Sequence, residues 1–180
     1  MVPPKFSHSR PKGLAALIIN PITGGFHLMK VLMDGGSSLN LLYQGTVRDM
    51  GIDPSRIKPT TTILKGAVPG VEAHFTGSIT LDVVFGSPNN FQSEGLTFDI
   101  VPFRSSYHAL LGRTAFAHFN AVQLYAHVKF KMPGPRGVIT VTGNTECSLR
   151  IKEHTTATTA KVQSGLIKPH IYRPLSHRSL

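Results

Sequence analysis

Between Phe75 and Phe85 the chain alternates with a period of two. Phe75, Ile79, Leu81, Val83 and Phe85 fall on one parity, and Thr76, Ser78, Thr80 and Asp82 on the other. Successive side chains of a strand point to opposite faces, so this stretch reads as a strand with one buried and one wet face. A turn at Gly86-Ser87-Pro88-Asn89-Asn90 follows, and then Leu96, Phe98 and Ile100 alternate with Thr97, Asp99 and Val101 in a second strand. An antiparallel pair of this kind cannot bury its apolar face alone, so the rest of the chain must supply the cover.

The remaining segments are short. Residues 14–20 and 27–33 read as strands joined by a turn at Pro21-Ile22-Thr23-Gly24-Gly25, and residues 60–64 and 107–111 as two more. Residues 122–131 and 137–142 flank Met132-Pro133-Gly134-Pro135-Arg136 and read as a hairpin. Leu39, Leu42, Val47 and Met50 approximate helical spacing, with Ser38 placed to cap the start and Gly51 to follow the end. Residues 114–120 suit one or two helical turns. Seventeen Gly and thirteen Pro favour turns over long helices. The fold class expected is all-β, a small closed or strongly curled barrel with one or two short helices.

At 180 residues and 41% hydrophobic content the chain has room for one domain of ordinary size plus tails. The domain is expected over 14–144. Residues 1–13 are expected to be disordered, as is a basic, Thr-rich tail over 145–180. The net charge of +10 belongs mostly to these ends, since residues 31–144 carry nine basic and seven acidic side chains. The ends lack interleaved aromatics and dense basic runs. They are read as solvated, with nucleic-acid contact at most weak. The single cysteine, Cys147, excludes an internal disulfide and suits a reducing compartment. No apolar run approaches the ~18 residues of a membrane span, so no membrane partner is expected. The short apolar stretch at Leu14 suits a core strand better than a secretion signal, so the chain is expected not to be secreted.

The chemistry concentrates at Val31-Leu32-Met33-Asp34-Gly35-Gly36-Ser37-Ser38. An apolar strand runs into one aspartate, and two glycines and two hydroxyls follow. Gly35 and Gly36 allow a sharp turn, and Ser37 and Ser38 offer donors to orient a carboxylate. Asp-Gly is also common turn chemistry. Peptide hydrolysis by aspartates needs two close carboxylates sharing one proton. Asp49, Asp53, Asp82 and Asp99 do not end an apolar strand before Gly-Gly, so a second carboxylate would have to come from a second copy of the chain. Two further stretches suit such a site. Gly66, Ala67, Val68, Pro69 and Gly70 form a Gly-bounded loop between strands, suited to covering a peptide cleft or to an ordinary hairpin turn. Tyr107-His108-Ala109-Leu110-Leu111-Gly112-Arg113 is a second apolar strand ending in glycine, placed to support the aspartate loop.

Taken in order, these blocks resemble the retropepsin-like aspartic protease of gypsy-type retrotransposons, particularly the plant elements, over about residues 14–147. The carriers are the segment from Lys30 to Asn40, the loop from Gly66 to Gly70, Leu81-Asp82-Val83-Val84-Phe85-Gly86, Leu96-Thr97-Phe98 and the segment from Tyr107 to Arg113. Residues 124–141 resemble the stretch that joins protease to reverse transcriptase in those polyproteins. The resemblance implies a small closed acid-protease barrel acting as a homodimer on a polyprotein substrate, in the cytoplasm or a virus-like particle. It implies Asp34 as catalytic, Gly35, Gly36, Ser37 and Ser38 as the active-site loop, Gly66 to Gly70 as the flap, and Leu111, Gly112 and Arg113 as the supporting segment. The family's triplet is usually Asp-Thr-Gly or Asp-Ser-Gly. Here Gly35 stands where the hydroxyl would bond across the dimer, a bond worth ~1 kcal/mol net. A fold that has lost turnover, kept as a binding or dimerisation module or as a relic, is the second reading, and a truncated or degenerate element copy is expected.

Other chemistries find no support. The nine histidines are scattered without zinc-site spacing, so no metal and no cofactor are expected. Gly36-Ser37-Ser38 lacks the Gly-x-Ser-x-Gly of a hydrolase elbow. The loop from Gly66 to Gly70 lacks the Gly-Lys-Ser/Thr ending of a phosphate loop.

Overall fold

A computed structural model of the chain describes residues 16–61, 63–65 and 72–144. The expectations for residues 1–13 and for the tail over 145–180 lie outside the described residues. In chain order the elements are β1 (Leu17–Ile19), β2 (Ile22–Thr23), β3 (Phe26–His27), β4 (Val31–Met33), β5 (Leu41–Tyr43), α1 (Gln44–Asp49), β6 (Ile63–Lys65), β7 (Glu72–His74), β8 (Gly77–Ser87), β9 (Asn90–Val101), β10 (Ala109–Leu111), α2 (Arg113–His118), β11 (Val122–Leu124), β12 (Lys129–Met132) and β13 (Ile139–Thr142). The architecture is all-β with two short helices, as the turn-rich composition implied.

The strands form one curled eight-stranded sheet in the order β1-β4-β10-β5-β9-β8-β2-β3, a three-stranded sheet β11-β12-β13, and the hairpin β6-β7. The β8-β9 hairpin is the longest pairing and runs from Gly77↔Ile100 to Ser87↔Asn90. Its alternation works as the sequence implies: Ile79, Leu81, Val83 and Phe85 of β8 and Leu96, Phe98 and Ile100 of β9 are buried on one face. Near its tip Gly86 has φ +114, and a Cβ there would meet the Asn90 carbonyl oxygen at 2.2 Å. Only glycine fits that close approach.

The second sheet closes the core. Phe85 of β8 makes edge-to-face contacts with Phe119, which follows α2, at 5.0 Å, and with Phe130 of β12 at 4.9 Å. Such pairs add roughly 0.5–1.5 kcal/mol beyond their buried area. They tie the main sheet, α2 and the three-stranded sheet into one apolar interior. Beyond β13 the chain reaches the outer edge of β1, where the Asn144 N–H donates to the Ile18 carbonyl at 2.7 Å.

Three local expectations give way to tertiary pairing. The stretch 27–33 is not one strand. Phe26 and His27 pair with β2 across a turn whose Gly24 and Gly25 both have positive φ, whereas Val31 to Met33 pair with β1 and β10. Leu39 to Tyr43 is not the first part of a helix, because β10 and β9 claim Leu41–Tyr43 as a strand between them. α1 therefore starts one turn later, after Tyr43, with no side-chain cap, and Gly51 ends it at φ +61. The stretch 122–131 breaks into β11 and β12 around a 3-10 turn at Tyr125–His127, with Val128 at φ +50.

Candidate active site

Asp34 leaves the end of β4, and its position is set by β10. The two strands run parallel with Leu111 beside Met33, and the Asp34 N–H donates to the Leu111 carbonyl at 2.9 Å. The chain then turns on itself. The Gly36 N–H donates to Asp34 Oδ1 at 2.9 Å, and the Ser37 N–H donates to the Asp34 carbonyl at 3.2 Å. A Cβ on Gly36 would stand 3.2 Å from that same carboxylate oxygen, so the small residue keeps the approach open. Asp34 and Gly35 are half-buried, while Gly36 and Ser38 are exposed.

The supporting segment locks into this loop. A Cβ on Gly112 would meet the Leu39 carbonyl oxygen at 2.4 Å and the Ser37 carbonyl oxygen at 2.6 Å, so the loop closes directly over glycine. The Arg113 N–H donates to the Ser37 carbonyl at 2.7 Å. The Arg113 side chain is exposed at the start of α2. The Ser37 hydroxyl is turned to Leu39, donating to its carbonyl at 3.1 Å and accepting from its N–H at 3.2 Å. The donor on the Asp34 carboxylate is thus the Gly36 backbone, and the Ser37 hydroxyl braces the loop.

Asn40, unremarked in the sequence beyond its place in the motif, is the hub. It is 6% exposed. Its Oδ1 accepts from the Gly112 N–H at 3.0 Å and from the Thr114 hydroxyl at 3.3 Å, and its Nδ2 donates to the Thr97 carbonyl at 3.1 Å. Its own carbonyl accepts from the Asp99 N–H at 2.9 Å. One buried amide therefore joins the aspartate loop, the supporting segment and β9. An asparagine side chain offers two donors and one acceptor oxygen, and burial requires that they be used.

Beside Asp34 the sheet presents half-exposed leucines. The register sets Leu32 beside Leu110, and Leu110 beside Leu41. All three are half-buried, whereas their strand neighbours Val31, Met33, Ala109, Leu111 and Leu42 face the core. Asp34 shares the parity of Leu32, so the carboxylate and the leucine row belong to the same face. Sequence parity over three-residue strands is too short to reveal such a face.

The remaining aspartates are elsewhere. Asp49 ends α1, and Asp82 is exposed on β8. Asp53 caps the turn at Pro54–Arg56, where the Ser55 N–H holds its carboxyl below the usual range. Asp99 stands on β9, three strands from β4. Among the described residues, none of these flanks Asp34 in the sheet, and no cluster of His, Cys, Asp or Glu could hold a metal ion. The expected flap residues Gly66, Ala67, Val68, Pro69 and Gly70 lie outside the described residues. The strands that flank them, β6 and β7, pair antiparallel from Ile63↔His74 to Lys65↔Glu72. His108 lies at the far end of β10 from Gly112. Burial, with the nearby Lys30 charge, holds its pKa below the ordinary 6.5, against a smaller opposing effect of Asp49.

The overall arrangement matches a known structure. The retroviral protease-like domain of Ddi1 from Leishmania major superposes with a TM-score of 0.54 at 13% identity, covering 73% of this chain and 95% of that one. The fold is the retropepsin-like one. A retropepsin-like aspartic protease from Rickettsia conorii aligns over 68% of this chain and 79% of its own, at 19% identity and a TM-score of 0.45. No protein-family model matches the chain. No curated protein matches it either.

Proposed function

We propose that this chain is one half of an aspartic endopeptidase, active as a homodimer in which Asp34 meets its symmetry mate. The observation that carries the reading is the interlock of the Asp34 loop with Leu111, Gly112 and Arg113, which presents one half-buried carboxylate at the end of a strand. Among the described residues no second aspartate flanks it, so a C2 axis supplies the pair. Two carboxylates that close share a proton. The ionised one draws a proton from water, and the protonated one donates to the carbonyl oxygen of the scissile bond.

The order of sequence blocks supports a retrotransposon origin and a polyprotein substrate. The single cysteine suits action in the cytoplasm or in a virus-like particle. One observation favours a second reading, a retained binding or dimerisation module without turnover. Gly35 brings no hydroxyl to the dimer axis, and the Ser37 hydroxyl is committed to Leu39.

Cleavage of a mixed peptide library at mildly acidic pH, with wild type and Asp34→Asn side by side, tests the proposal. Wild-type cleavage that falls by about a thousandfold in the variant, with the dimer intact, supports the peptidase. A folded dimer that cleaves nothing supports the module.

A further inference from the structure

The leucine row beside Asp34 does not end in another apolar residue. Leu41 of β5 sits beside Asp99 of β9, and Asp99 beside Ser78 of β8. Residues in register share a face, so Leu32, Leu110, Leu41 and Asp99 form one continuous line across four strands. Asp99 is half-buried, and burial raises its pKa with no charged group contributing. Its backbone N–H is bonded to Asn40, but among the described residues its carboxylate has no hydrogen-bond or ion-pair partner. The nearest cation along the row is Lys58, bridged to Ser78 one column further and exposed to solvent.

A carboxylate withdrawn from water without a partner costs free energy, and a cation brought to it recovers that cost. We propose that Asp99 is a specificity residue, receiving the Lys or Arg side chain of a peptide that lies extended over the leucine row. Three strand spacings of about 4.8 Å separate Asp99 from the Leu32 column. That span, about 14 Å, is about four residues of extended peptide. The peptide taken is therefore apolar next to the scissile bond and basic about four residues away. The inference rests on the peptidase reading of the Asp34 site.

The test is library cleavage by wild type, Asp99→Asn and Asp99→Lys, each confirmed folded by circular dichroism. Wild type is expected to favour Lys or Arg at one position near the cut by roughly fivefold or more. Asp99→Asn loses that preference while still cleaving, and Asp99→Lys turns it towards Glu or Asp. Cleavage with no basic preference, unchanged in Asp99→Asn, overturns the inference and leaves the peptidase reading standing. If the folded wild-type dimer cleaves nothing, the peptidase reading fails, and binding of fluorescent apolar peptides with and without one Arg decides the matter. Tighter binding of the Arg peptide, abolished in Asp99→Asn, keeps Asp99 as the cation-binding residue of the face. Equal binding overturns it.

Discussion

Asn40 and Gly112 stand 72 residues apart in sequence and are joined by a 3.0 Å hydrogen bond from the Gly112 N–H to the Asn40 Oδ1. The bond is buried, and it connects the loop that carries Asp34 to the segment that braces it. Removing the amide leaves the Gly112 N–H and the Thr97 carbonyl without their partner. Asn40→Ala is expected to lower unfolding stability by about 2–3 kcal/mol in urea titrations. Asn40→Asp keeps the acceptor for Gly112 but sets a carboxylate oxygen against the Thr97 carbonyl, and is expected to lose at least as much at neutral pH.

The two glycines Gly112 and Gly45 should respond oppositely to alanine. At Gly112 the new methyl would press on two backbone oxygens, at 2.4 and 2.6 Å, which cannot swing away. Gly112→Ala is expected to cost about 2 kcal/mol or more, and to abolish peptide cleavage if the aspartate loop is displaced. Gly45 is in α1, where an added methyl would meet nothing within 4 Å, and its φ is ordinary. Gly45→Ala is expected to stabilise by about 0.5–1 kcal/mol. Thermal melts of the two variants in parallel check both signs.

Gly35 tests the peptidase proposal from the other side. Gly35→Thr places a hydroxyl where, on the retropepsin resemblance, a bond would cross the proposed dimer. Dimer dissociation, followed by sedimentation, is expected to tighten by about 1 kcal/mol, with cleavage rising alongside it. A variant that dimerises no better than wild type would show that this loop is held by other contacts.

His108 sets a pH dependence of stability. Its Nδ1 is buried without a hydrogen-bond partner among the described residues, and burial first, then Lys30, holds its pKa below 6.5. Once the pH drops under that ordinary value, the unfolded chain binds a proton at His108 that the folded chain refuses. Stability therefore declines as the pH falls through this window, and the decline levels off below the folded value. Urea midpoints between neutral and mildly acidic pH should fall less steeply in His108→Phe than in wild type.

The inner part of the long hairpin was legible in the sequence because residues 75–85 and 96–101 alternate, whereas the first residues of β9, Asn90 to Gly95, carry no apolar alternation and join the hairpin through pairing with β8. Asp34 and its glycines were legible because a strand followed by Asp-Gly-Gly is locally distinctive. The packing of the segment from Tyr107 to Arg113 against that loop was legible in outline, but the role of Asn40 was not. Asn40 looks like any polar residue after a turn, and its three side-chain bonds reach residues 57 to 74 positions away. Leu41 to Tyr43 looked helical because Leu39, Leu42, Val47 and Met50 share that spacing. Tertiary pairing on both sides overrode it. The break at Val128 had no signal either, since a β-branched residue is a poor choice for φ +50.

The bond between Asn144 and Ile18 means that the two ends of the described residues lie side by side. Gly143 reinforces the closure, packing so tightly that a Cβ would meet Leu17 at 2.6 Å. A unit whose ends meet behaves as a cassette. It can sit within a longer polypeptide without stretching its neighbours.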